Sequence, residues 1–143
     1  MKLDELYQEI KKDFPIDERD LGNESLRTTQ IWIKYIELYA TENMRLEKMI
    51  AGRNTLISFK REYYSGNSPP EVYKEKPWNG KTPKSEGGLQ ALIQNDLDVI
   101  AYDEGLIVQK QKIEVLKSCH EEIKRRGFSI KSAIDMVKFM NGA

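Results

Sequence analysis

Phe59-Lys60-Arg61-Glu62-Tyr63-Tyr64-Ser65-Gly66 is the most chemically suggestive stretch of this 143-residue chain. Its cations can neutralise phosphate, and its rings offer stacking faces to unpaired bases, a contact worth about 1–3 kcal/mol per base. Arg53 extends the basic edge one way along the chain, and Lys124-Arg125-Arg126, followed by Lys131, forms a second basic cluster. Tyr63 and Tyr64 also continue an apolar stripe, so at least one of them is expected to be core. Phe59 falls off that stripe and is freer to meet a partner.

Covalent chemistry finds little support. The one histidine, His120, follows the one cysteine, Cys119. Adjacent residues on a helix face different ways, so both read as packing groups rather than as a nucleophile–base pair or a metal site. Gly80-Lys81-Thr82 lacks the upstream glycine and the strand of a phosphate-binding loop. The acid pairs Asp96/Asp98 and Asp103/Glu104 read as solvated helix residues. No catalytic residue, metal or cofactor is expected.

Charged residues make up 32% of the chain, yet the formal net charge is zero, which argues against a general polyanion binder. The charges fall in sectors: residues 1–22 carry a net of −3, 45–66 a net of +3, 86–109 a net of −5 with no cation, and 110–131 a net of +4. Such a chain can offer a local basic surface while its acidic sectors meet other proteins; solvated faces with pairs one turn apart are the competing reading. A single cysteine excludes an internal disulfide and fits a reducing cytosol. No run of 18 apolar residues suggests a membrane span, and acids near the N-terminus make export an unlooked-for fate.

The elements that must position these groups are helices. Leu3, Leu6, Tyr7 and Ile10 predict a first helix to about Asp13, stopped by Pro15. A heptad with Trp32, Tyr39 and Leu46 at one edge and Tyr35, Met49, Leu56 and Tyr63 at another predicts a long helix over about 24–64, its first edge turning basic at Arg53 and Lys60. At about 60 Å it exceeds the roughly 35–40 Å of a compact monomer this size, so its stripe needs a partner beyond a local core. Gly52 is its weak point. Residues 65–88 hold the remaining four prolines and read as a mobile or functional loop anchored by Tyr73 and Trp78. A second long helix is predicted from Leu89 to Arg125 through Leu92, Val99, Leu106 and Ile113, with Gly127 as its stop. Ser129 would then cap a last helix whose Ile130, Ala133, Ile134, Val137 and Met140 share one face. The fold class is all-α: a long helical hairpin with short terminal helices, residues 1–127 forming the hairpin and 128–143 an oligomerisation helix.

Several motifs resemble the UvsY family, the recombination mediators of T-even-like bacteriophages. They are Met1-Lys2-Leu3-Asp4-Glu5-Leu6 with Lys11-Lys12-Asp13, then Tyr63-Tyr64-Ser65-Gly66 closing a basic helix, and Lys84-Ser85-Glu86. The most specific is Ile123-Lys124-Arg125-Arg126-Gly127-Phe128-Ser129-Ile130-Lys131 with Asp135-Met136. The resemblance runs from end to end. It implies a ring-like homo-oligomer, a hexamer or heptamer, that binds single-stranded DNA. It also implies a role in loading a RecA-like phage recombinase onto strands covered by single-strand binding protein, in the cytoplasm of the infected host. The family's basic motif falls on Leu56–Glu62, where Lys60 fills a basic position, Ser58 stands for a second cation and Arg61 for an apolar residue. The DNA-binding candidates are Arg53, Lys60, Arg61, Tyr63, Tyr64, Lys124, Arg125 and Arg126; the oligomerisation candidates are Ile130, Ile134, Val137 and Met140. The alternative is a helical oligomeric scaffold that bridges proteins without touching nucleic acid.

Overall fold

The computed structural model describes residues 1–142, so Ala143, the end of the expected oligomerisation helix, lies outside the described residues. Five helices follow in order: α1 (Leu3–Asp13), α2 (Leu21–Tyr64), α3 (Pro70–Glu75), α4 (Glu86–Gln94) and α5 (Leu97–Met140). No strand occurs among the described residues, as the all-α reading expects.

Local chemistry sets the boundaries. The Lys2 N–H donates to the Glu5 carboxylate at 2.8 Å, which fixes the start of α1, and Asp4 and Glu5 there, with Lys11 and Lys12 in the last turn, complement the helix dipole. In α2 Gly52 is no break. A Cβ at that position would collide with the Tyr102 hydroxyl, which donates to the Met49 carbonyl at 2.8 Å. The glycine is what lets that ring approach. α2 ends in a Schellman turn: Gly66 takes φ +78°, its N–H reaches the Tyr63 carbonyl at 3.2 Å, and the Asn67 N–H reaches the Glu62 carbonyl at 2.9 Å.

Three boundaries differ from the sequence expectation. Residues 65–88 are not one uninterrupted loop: Pro69 and Pro70 start α3, as suits a first turn that has no use for the N–H. The second long helix is divided at Asn95 and Asp96, because the Asp96 carboxylate accepts the N–H groups of Asp98 and Val99 at 2.9 and 3.3 Å and so caps α5. And Gly127 does not end the helix. It keeps an ordinary helical backbone, since Arg126 and Ile130 on either side of it are both buried. Burying Ile130 is worth about 1.5–3 kcal/mol, more than the roughly 1 kcal/mol that a mid-helix glycine costs. Residues 128–140 are therefore the last turns of α5, not a separate helix.

The chain forms two compact units, and α2 and α5 contribute to both. In the first (Met1–Met44 and the chain from Val108 on), Leu6, Ile31, Tyr35, Leu116, Cys119 and Ile123 make the core. The Tyr35 hydroxyl donates to Asp13 at 3.1 Å, and Lys34 binds the same carboxylate at 2.6 Å. A polar layer crosses this unit: Gln109 donates to the Glu42 carbonyl and carboxylate, each at 2.8 Å, with Lys112 3.4 Å from that carboxylate. In the second unit (Arg45–Ile107), Tyr63, Tyr64, Ile93 and Val99 are the core. Tyr73 of α3 stacks on Tyr63 at 5.3 Å, and Trp78 meets Tyr64 edge-on at 4.9 Å. In each unit the pairing of residues shows α2 and α5 to be antiparallel.

Candidate nucleic-acid interface

The C-terminal half of α2 presents its cations on two sides. Arg53, Ile57 and Arg61, four residues apart, share one face. Lys60 points elsewhere and is only 5% exposed. Its ammonium lies 2.8 Å from Asp98 and 3.1 Å from Asp96, with the Tyr63 ring 5.7 Å away. Burial pulls the Lys60 pKa down, but bonds to Asp98 and Asp96 more than offset this and leave it raised. Burial likewise pushes Asp96 up, while the Tyr64 hydroxyl at 2.6 Å, Lys60 and the Val99 N–H hold it below the usual carboxylate range. Asp98 is held low by Lys60 and Lys76. The cavity at this point, about 340 Å³, is lined by Lys60, Lys76, Asp96, Asp98 and the two tyrosines among others, so its cations and carboxylates balance.

This corrects the sequence reading of Lys60, Tyr63 and Tyr64 as an open basic-aromatic site. Both tyrosines are buried; Tyr63 donates to the Lys76 carbonyl at 2.9 Å and accepts the ring of Tyr73 on its face. Lys60 and Tyr64 tie α2 to the turn that starts α5, and Tyr63 ties it to the end of α3. Phe59 is exposed, as expected.

The other face is open. Arg53 forks onto Asp103 at 2.5 and 3.2 Å, and Arg61 reaches Glu86 at 2.6 Å. Between the two arginines lies a groove of about 220 Å³ lined by Arg53, Ile57, Arg61, Gln90, Ile93 and Gln94, with two cations and no acid. The Arg53 pKa is raised by its hydrogen bond to Asp103, against a smaller effect of burial. Glu86, Asp96, Asp98 and Asp103 thus fold back onto the basic sector of their own unit, where the sequence reading has the acidic sector meeting other proteins.

The second basic cluster divides in the same way. Lys124 and Arg125 are exposed, each bonded to an acid three residues earlier, Glu121 at 3.5 Å and Glu122 at 3.1 Å. Arg126 is 3% exposed and unavailable to DNA: it pairs with Glu24 and donates to the Phe14 carbonyl at 2.5 Å and the Thr28 hydroxyl at 3.2 Å. It lies three residues after Ile123 and four before Ile130, on the buried face of α5. That face also takes Ile130, 2% exposed, out of the oligomerisation set, and half-buries Ile134; Val137 and Met140 stay exposed.

Cys119 is buried, and burial pushes its thiol up to about 11; His120 rests against Tyr39 at 5.2 Å. No cluster with metal-ligand character occurs among the described residues, and none of their helices is long and apolar enough to cross a membrane. Gln90 and Gln94 went unread in the sequence, and Asp96, read there as a solvated helix residue, is instead buried and caps α5. An Asp one residue before an apolar run was the available sign for Asp96, and four-residue spacing around Ile93 the one for the glutamines.

An antiparallel pair of long helices, with two arginines along an open groove beside α4, defines an all-helical protein with a local basic surface. Residues 9–143 match the family described as recombination, repair and ssDNA binding protein UvsY. The recombination protein uvsY of Enterobacteria phage T4 is 25% identical over 142 residues, 99% of each chain. Two crystal structures of the bacteriophage T4 recombination mediator protein UvsY share the fold. Lattice type II gives a TM-score of 0.82 at 23% identity, covering 99% of this chain and 98% of that one. Lattice type IV gives 0.80 at 23% identity, covering 98% and 99%. The chain belongs to the UvsY family.

Proposed function

We propose that the protein is a recombination mediator that binds single-stranded DNA as a homo-oligomer and helps a RecA-like recombinase replace single-strand binding protein on the strand. It acts in the cytoplasm of an infected bacterium and performs no covalent step. The observation that carries this reading is the surface placement of Arg53 and Arg61 on α2 in a chain of a single-stranded-DNA-binding family. The chain carries no net charge, so the grip of one protomer is weak. A ring of six or seven copies makes the grip strong through effective concentration, and phosphate contacts make it sequence-tolerant and salt-sensitive.

Self-association is supported by the end of α5, where Phe128, Met136, Val137, Phe139 and Met140 are all exposed, Phe128 to 74% and Phe139 to 80%. Large apolar side chains gathered on three turns of helix suit an interface. The test is a loading assay: the lag before a phage recombinase hydrolyses nucleotide on single strands saturated with single-strand binding protein. Adding the protein should shorten the lag, and a variant with Arg53 and Arg61 both replaced by alanine should shorten it less. An unchanged lag, with the protein seen to bind the strand, would reduce the function to binding alone.

A further inference from the structure

We propose that the groove between α2 and α4 is a nucleotide subsite, in which Arg53 and Arg61 take phosphates of the strand at the two ends of the groove while Gln90 and Gln94 take the edge of a base over Ile57 and Ile93. The inference rests on the reading that the chain binds single strands, and adds where and through which groups.

Three observations favour this groove over the larger cavity at Lys60. The first is charge. The lining holds two arginines and no carboxylate, whereas the Lys60 cavity holds two cations and two acids. The second is the ease of exchange. The partners of the arginines are exposed, Asp103 to 40% and Glu86 to 59% of the side chain, against 7% for the Asp96 that holds Lys60. The single exposed contact of Arg61 with Glu86 contributes little, and a phosphate can match the two-armed grip of Arg53 on Asp103, so a strand can displace both acids. Asp96, freed from Lys60, would be a stranded charge.

The third is the pair of glutamines. Gln90 and Gln94 stand one turn apart, exposed, on the wall of the groove, and neither amide has a hydrogen-bond partner among the described residues. An amide carries both donor and acceptor and can turn to suit any base edge, which fits a strand held without regard to sequence. Arg53 and Arg61 lie eight residues apart, about 12 Å along the helix, and Ile57 midway with Ile93 opposite gives an apolar floor on which a base can rest.

The full chain is titrated by fluorescence anisotropy onto labelled oligo-dT and onto an abasic deoxyribose-phosphate oligomer of the same length, at several salt concentrations. Lys110→Ala, on an exposed residue of α5, serves as the control, and circular dichroism and mass are checked for every variant. Arg53→Ala with Arg61→Ala should weaken both oligomers and flatten the log affinity against log salt slope, by about 0.7 per lost contact. Gln90→Ala with Gln94→Ala should weaken oligo-dT severalfold and leave the abasic strand unchanged. Glu86→Gln, which frees Arg61 and removes no cation, should tighten both by about two- to fivefold, the worth of an exposed ion pair. Wild-type affinity of the glutamine variant on both oligomers would overturn the base contact, and wild-type behaviour of the arginine variant would overturn the groove. Failure of the unaltered chain to bind oligo-dT would instead sink the functional reading, and the subsite with it.

Discussion

Replacing Lys60 by alanine separates a structural cation from a DNA-binding one. In the protein Lys60 is the main counter-charge of Asp96, and both side chains are almost wholly buried, 6% and 7% exposed. Without the ammonium, Asp96 keeps the Tyr64 hydroxyl and two backbone N–H groups, but no cation. Breaking one side of a buried pair costs about 3–5 kcal/mol. With a urea slope of about 2 kcal/mol per molar, the unfolding midpoint should fall by roughly 1.5–2.5 M. Arg61→Ala, which breaks only an exposed pair, should cost about 1 kcal/mol or less. Urea titrations followed by far-UV circular dichroism and tryptophan fluorescence would show the difference. Lys60→Met combined with Asp96→Asn leaves no stranded charge, and should recover at least half of the loss. A Lys60→Ala protein as stable as wild type but weak on oligo-dT would refute this account and return Lys60 to the DNA interface.

Four further outcomes follow from the geometry. Arg126→Ala should cost about 1–3 kcal/mol, because Glu24 keeps Arg27 while the Phe14 carbonyl and the Thr28 hydroxyl lose their donor, and Lys124→Ala with Arg125→Ala should change the same urea midpoint little. Asp13, Glu24, Asp96 and Asp98 all have pKa values lowered by folding. Their contribution is therefore complete above the unfolded values near 4 and is lost as pH falls through the lower folded ones; acid unfolding should set in below about pH 4, and a main loss between pH 5 and 7 would contradict this. The Cys119 thiol, buried and raised to about 11, should react with a disulfide reagent at pH 8 far more slowly than it does in urea. Serine at Phe128, Phe139 and Met140 should lower the mass in sedimentation while leaving the helical signal; an unchanged mass would place the oligomer contact elsewhere.

The helices were legible because their apolar spacing is local. α1 has the expected bounds, and the Schellman end of α2 falls where Tyr64-Ser65-Gly66 predicts. What misled was punctuation. Gly127 reads as a stop only when the buried neighbours that hold it helical are unseen, and the break at Asp96 hides because Leu92 and Val99, seven apart, carry the stripe across it. The site was half legible for a similar reason. Composition picks out residues 53–64, but a helix turns about 100° per residue, so Lys60 and Arg61 face different surroundings. Nothing near Lys60 in sequence announces Asp96 and Asp98, 36 and 38 residues on. Nor does anything near Tyr63 announce the rings of Tyr73 and Trp78 that cover it.

The polar layer of Glu42, Gln109 and Lys112 bears on alignment rather than on strength. Well-packed leucines in those places would hold α2 and α5 together at least as firmly. But stripes of apolar residues repeating every seven positions can slide past one another by a heptad with small change in burial. With this layer they cannot: one such slide toward the C-terminus of α5 would take the Glu42 carboxylate from Gln109 and Lys112 and set it against Leu116 and Cys119. Glu42 thus acts as an index mark, fixing which residue of α5 meets which residue of α2 in the first unit, and every contact there from Tyr35 to Arg126 depends on that one alignment being chosen.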